Sequence, residues 1–212
     1  YHHHLLFHQH NDLNLDYLDL YLIHFPISLE YVSIDDKYPP EWTNNDGEMV
    51  LVKQDLLQTW IGLEKLYKKK LVKQIGVSNY NSALLRQLVN TAEIPPHAIQ
   101  IELHPYLSQE NMIKLSKSYG LEISGFSPLG AKSYFELEMA DIHEDLVCHD
   151  LIKHLSCYYS KSATQILLRW AIERGTIPIC KSSSLSSVPS SPTSTSASDT
   201  LLTLCPNSSA IS

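Results

Sequence analysis

His24 closes the run LDYLDLYLIH at residues 15–24. Alternation along a strand puts Leu18, Leu20, Leu22 and His24 on one face, so an imidazole takes the last place in an apolar row. A histidine there can donate to a carbonyl oxygen, act as general acid or base, or bind a metal; a satisfied, half-buried histidine is the plain alternative. IGVSN ends in Ser78 and Asn79, whose short side chains can hold an amide, or can serve as turn chemistry before a helix capped by Asn81 or Ser82. Gln100 alternates with Ile99 and Ile101 in AIQIELHP, where a buried amide needs a hydrogen-bond partner from a ligand or from the core. Phe126 and Ser127 stand in GFSPLG, the ring being either core or a platform for a planar ligand. Lys181 and Ser182 follow TIPI and read as a phosphate cradle or as a solvated lysine and its neighbour.

The elements that must position these groups alternate. Strand candidates lie at 15–24, 75–79, 98–105, 121–130 and 176–179. Between them DLLQTWIGLEKLYKKK has a helical face of Leu56, Trp60, Leu63 and Tyr67, a cap in Asp55 and a lysine-rich end that suits the helix dipole. SALLRQLVNTA, residues 110–119, and two later helices complete the pattern. The last of these opens on a capping box of Ser162 and Gln165 and closes at Gly175. Strand–helix alternation predicts parallel pairing with right-handed crossovers, hence an open doubly wound sheet or a (β/α)8 barrel. No GxGxxG turn follows any strand, which argues against a Rossmann domain. Polar residues at strand ends fit a barrel, whose functional side chains gather there.

Bulk properties bound the rest. The chain has 212 residues, 43% of them hydrophobic, enough to bury a substantial core. A formal net charge of −7 disfavours nucleic acid and anionic membrane as partners. No apolar run approaches the ~20 residues of a membrane span. Cys148, Cys157, Cys180 and Cys205 show no CxxC spacing, which together with the absent signal pattern gives a cytoplasmic protein as the expectation. Composition marks off the ends. Five of the 11 histidines fall in YHHHLLFHQH, and ten serines fall between 182 and 198. Residues 1–10 therefore read as an irregular histidine-rich start, 11–182 as the folded region, and 183–212 as a serine- and proline-rich tail that cannot offset its ordering entropy. Imidazoles at such density can bind zinc or nickel, but no second half of a site is visible, so no metal site is assigned.

LDYLDLYLIHFP, IGVSNYN, IQIELHPYL and GFSPLGA, in this order and spacing, resemble the aldo-keto reductases, and the loop FPISLEYVSIDDKYPPEW is most similar to the xylose-reductase and aldose-reductase branch. The resemblance implies a partial (β/α)8 barrel, about the last five of eight strand–helix units, with a disordered C-terminal tail. It implies NADPH as cofactor, with NADH possible, and a small aldehyde or ketone as substrate, reduced to an alcohol. By motif, His24 corresponds to the histidine that orients the substrate carbonyl, with Phe25 beside it on the substrate side. Ser78, Asn79 and Gln100 match positions that hold the nicotinamide carboxamide. Phe126 takes the place of a tyrosine that stacks on the nicotinamide ring. Ser127 and Leu129 match cofactor-contacting positions, and Lys181 and Ser182 the start of the segment around the adenosine 2′-phosphate.

Departures from the family pattern matter as well. Its catalytic tyrosine, lysine and aspartate belong to strand–helix units that precede LDYLDLYLIH, and no position here matches them. Tyr17 and Tyr21 fall on the strand face opposite His24. Cys180 stands where the last strand has proline, and SSLSSVPSSPTSTSAS replaces the arginine and asparagine that follow it. The expectation is therefore an NADPH-dependent carbonyl reductase in descent, with a catalytically silent cofactor-binding or assembly module as the alternative. The sequence leaves oligomeric state open.

Overall fold

The computed structural model describes residues 15–30, 48–53, 55–130, 134, 141 and 145–180. YHHHLLFHQH, Lys181, Ser182 and the serine-rich tail lie outside the described residues. Five strands form one sheet in chain order: β1 (Leu18–Ile23), β2 (Val72–Ser78), β3 (Ala98–Glu102), β4 (Glu122–Phe126) and β5 (Ile177–Pro178). β1 pairs parallel with β2, and β4 parallel with β5. Helices α1 (Leu56–Lys68), α2 (Ser82–Thr91) and α3 (Glu110–Ser118) fill the first three connections. A 3-10 turn at Leu146–Cys148, then α4 (Asp150–Tyr159) and α5 (Ala163–Glu173), fill the last. That succession of parallel strands and helices is the expected arrangement of consecutive units of a (β/α)8 barrel. The chain divides into two compact units, Tyr1–Ile99 and Gln100–Ser212.

In the first unit local chemistry starts both helices. The Asp55 carboxylate accepts from the Leu57 amide at 2.9 Å, and Asn81 accepts from Leu84 at 2.9 Å. α1 then buries Trp60, Leu63 and Leu66, and α2 buries Leu85 and Leu88, alongside Val72, Ile75 and Val77 of β2. β2 begins at Val72, earlier than the sequence pattern suggests. Lys73 points outward, where it pairs with Asp19 at 3.0 Å and lies over the Tyr17 ring at 3.7 Å. β1 departs from the expectation of a buried strand. None of its residues is fully buried and Leu20 is 37% exposed, because β1 stands first in the sheet with one described strand beside it.

The second unit packs Met112, Ile113 and Leu115 of α3 toward the sheet, and gathers Leu146, Ile152 and Leu167 into a separate cluster. The capping box of α5 forms as the sequence predicts: Gln165 N–H donates to Ser162 Oγ at 3.2 Å, and Ser162 N–H to Gln165 Oε1 at 2.9 Å. Gly175 follows at φ +70°, the left-handed conformation that glycine adopts at little cost. Arg174 ties the region together, donating to the Ser108 carbonyl at 2.7 Å and to Glu110 at 2.8 Å. Among the described residues no helix is long and apolar enough to cross a membrane.

Tyr80 gives the first unit an alkaline limit. It is 5% exposed, and burial pushes its phenol up from 10.0 to about 12. The unfolded phenol ionises first, so the contribution is intact below pH ~10 and is lost as pH rises toward ~12, by about 2–3 kcal/mol at 1.36 kcal/mol per unit. Urea melts across this window should show the parent chain losing stability relative to Tyr80→Phe as pH rises. Parallel curves would show that another group is responsible.

Candidate functional site

β1 delivers His24 and β2 delivers Ser78 and Asn79. The parallel register sets Leu22 beside Gly76 and Ile23 beside Val77, so the next step along both strands is His24 and Ser78. Asn79 then turns the chain at φ +61°, a conformation asparagine tolerates better than most side chains. Its Nδ2 donates to the His24 carbonyl at 2.8 Å and to Ser78 Oγ at 3.2 Å. Both bonds use the amine side of the carboxamide, and the Asn79 Oδ1 accepts from none of the described residues. Ser78 is 1% exposed, whereas the imidazole of His24 is exposed and stacks in tilted fashion on Phe25, ring centroids 4.7 Å apart. The sequence-predicted residues of this unit are thus brought together, with one difference. His24 is not the half-buried end of an apolar row, because β1 itself is only partly covered.

In the second unit Gln100 faces away from Ile99 and Ile101, which are buried, and is itself half-buried. Its side-chain amide has no hydrogen-bond partner among the described residues. Phe126 ends β4, half-buried, with its carbonyl accepting from Leu103 N–H at 3.1 Å. No ring of the described residues stacks on it. Ser127 turns the chain at φ +53°, and its carbonyl accepts from Gly130 N–H at 3.0 Å, closing a turn that contains Leu129. The Leu129 side chain packs against the Leu146–Ile152–Leu167 cluster. What Leu129 can offer a ligand is therefore chiefly its backbone.

Two further polar groups stand next to this set. Glu102 ends β3, and its Oε1 meets His104 Nε2 at 3.2 Å while Oε2 accepts from the Tyr134 hydroxyl at 3.3 Å. Burial, followed by the nearby Glu102 charge, raises the Tyr134 phenol above its ordinary value, so it stays a donor. His104 is 8% exposed and its Nδ1 is buried without a partner among the described residues. Nothing in the sequence announces Tyr134, which is 32 residues from Glu102.

Chemically, each unit presents carboxamide-scale polar groups at or near the carboxyl ends of its strands: Asn79 Oδ1 in one, the Gln100 amide in the other, with an unstacked aromatic ring in Phe126. Groups of either kind can pair with a primary amide. Among the described residues no group of three or more His, Cys, Asp or Glu could hold a metal ion. Cys148, Cys157 and Cys180 are unpaired.

A sequence model of the Aldo/keto reductase family matches residues 8–194. Curated relatives include a probable NAD(P)H-dependent D-xylose reductase of Neosartorya fischeri, 40% identical over 173 residues, which cover 81% of this chain and 54% of that one. An NAD(P)H-dependent D-xylose reductase of Candida tropicalis is 43% identical over 175 residues, 81% of this chain and 54% of its own. An NADPH-dependent D-xylose reductase of Meyerozyma guilliermondii is 40% identical over 175 residues, 81% and 55% respectively. The chain spans about half the length of the curated relatives it matches.

Proposed function

The chain belongs to the aldo/keto reductase family, and from that premise we propose that it serves NADPH-dependent reduction of a small aldehyde or ketone, an aldose-like carbonyl, to the alcohol. The reading is supported most directly by the unsatisfied amide groups. In the first unit Asn79 keeps a carboxamide acceptor that no described residue uses, and in the second Gln100 keeps a whole amide; a nicotinamide carboxamide can pair with groups of either kind. Ser78 holds the Asn79 amine from beneath. Phe126 offers its ring face to the nicotinamide without the hydroxyl of a tyrosine. Ser127 and Leu129 contact the cofactor from the turn that follows, and Lys181 and Ser182 meet its 2′-phosphate. NADH is the natural comparison, since a phosphate-gripping arginine is not matched in the residues after Lys181. The bound dinucleotide supplies a hydride.

His24 orients the substrate. A ring N–H of an exposed imidazole can donate to the carbonyl oxygen, and the Phe25 ring against it narrows the directions in which it can point. Phe25 also supplies an apolar wall on the substrate side. The Asn79–His24 bond fixes the backbone that carries the imidazole, so cofactor holding and substrate orientation share one side chain. The unpaired cysteines favour a cytoplasmic setting.

Titration of the full chain with NADPH, followed by nucleotide fluorescence, tests the reading. Gln100→Ala is expected to weaken binding about 2- to 12-fold, the worth of one net hydrogen bond. Binding together with consumption of NADPH in the presence of D-xylose supports the reductase. Binding with no turnover identifies the silent cofactor-holding module instead. Absence of binding at millimolar NADPH defeats both.

A further inference from the structure

Away from the strand ends, the first unit contains a cavity of about 250 Å³ between the start of α1 and the length of α2. Leu56, Leu57, Leu84 and Leu88 form its apolar lining, and Asp55, Tyr80, Gln87 and Thr91 its polar part. Two of these polar groups are already committed. Asp55 caps α1 through the Leu57 amide, and the Thr91 hydroxyl donates to the Gln87 carbonyl at 2.9 Å. Two are not. Among the described residues neither the Tyr80 hydroxyl nor the amide of the exposed Gln87 has a hydrogen-bond partner, and Tyr80 as a residue is 5% exposed. A hydroxyl that donates to no described protein group and borders a cavity is free to donate to a ligand acceptor there.

We propose that this cavity is a binding site for a small neutral amide: an aromatic or aliphatic body among the four leucines, its carbonyl accepting from Tyr80 and its amine facing Gln87. Size supports the class. The volume of about 250 Å³ far exceeds one water, whose share of liquid is about 30 Å³, yet lies below the about 300–1,000 Å³ of pockets for drug-sized ligands. A fragment fits and a dinucleotide does not. Charge supports it too. Asp55 is the one ionisable group of ordinary working pH in the lining, and its carboxylate opposes an anion, while Tyr80 stays neutral and a donor because burial holds its phenol up at about 12. The site is independent of the cofactor reading, although Tyr80 follows Asn79 directly in the chain.

Benzamide is the probe, titrated into the isotopically labelled full chain and followed by amide chemical shifts, with benzoate as the matched anion. The expected result is saturable shifts confined to α1, α2 and Tyr80, with a dissociation constant on the order of 1 mM. Benzoate should bind at least about tenfold more weakly, since it loses the amine and meets the Asp55 charge. Tyr80→Phe keeps the ring and removes the donor, and should weaken benzamide about 2- to 12-fold. Thr91→Trp at the exposed rim, and Leu84→Trp inside, should each abolish binding; the rim variant spares the core and keeps the test valid if the inner one fails to fold. Shifts that never saturate up to the solubility of benzamide, or unchanged affinity in Tyr80→Phe, overturn the proposal.

Discussion

Gly76→Ala is expected to cost about 3 kcal/mol of stability, and Gly76→Val more, at the upper end of what overpacking a core produces. A Cβ at Gly76 would stand 2.4 Å from the Ala98 carbonyl oxygen and 2.6 Å from Leu22 Cδ2. The leucine methyl can swing away. The carbonyl cannot, because it is backbone at the first residue of β3, and the residue before it is pinned by His97 N–H donating to the Ile75 carbonyl at 2.8 Å. Ile75 N–H in turn donates to the His97 imidazole at 3.3 Å. Relief therefore requires the strand ladder itself to open. Gly120→Ala is the control. It stands at φ +73° with nothing within 4 Å of a new Cβ, so it should lose only the about 1–2 kcal/mol of left-handed strain. Urea unfolding by circular dichroism separates the two, and equal losses would mean that conformation, not crowding, decides Gly76.

Trp60→Ala should cost about 3–5 kcal/mol, as truncation of a fully buried large side chain does. Trp60 is 0% exposed, and its loss is more than a void. Its Nε1–H donates to the Ile94 carbonyl at 3.0 Å, and one helical turn later the buried Glu64 carboxylate accepts from the Ile94 amide at 3.0 Å. α1 thus grips both backbone groups of one residue in the α2–β3 connection. Trp60→Phe should recover most of the packing and lose about 1 kcal/mol with the hydrogen bond. Glu64→Gln should be nearly silent, since an amide oxygen can accept the same bond, whereas Glu64→Leu strands the Ile94 amide for about 1–3 kcal/mol. If Trp60→Ala unfolds within about 1 kcal/mol of the parent, the assignment of Trp60 as the anchor of this connection is wrong.

Much of the architecture was legible before any coordinates. The strand–helix alternation, the caps at Asp55 and Asn81, the capping box of Ser162 and Gln165 and the turn at Gly175 were all readable, because each depends on atoms a few residues apart. Element ends were less so. The ladder stops β1 at Ile23 and β3 at Glu102, short of the apolar runs that announce them, while β2 extends back to Val72 past two polar residues. Hydropathy marks where burial is favourable, but a strand ends where its neighbour's hydrogen bonds end. For the candidate site, the residue types were readable and their commitments were not. Asn79 spends its amine on a carbonyl 55 residues away, and Leu129 turns its side chain into a hydrophobic cluster.

By itself the sequence determined the order of elements and which polar side chains arrive at strand ends, since periodicity of 2 or 3.6 and capping chemistry act over a few residues. Tertiary structure alone decided that β1 is partly exposed, that Glu102 holds both His104 and Tyr134, and that a cavity opens beside Tyr80. Those features depend on which surfaces face one another after the chain folds back. Contacts across dozens of residues leave no local pattern, because either partner would look the same in the sequence had it met another neighbour.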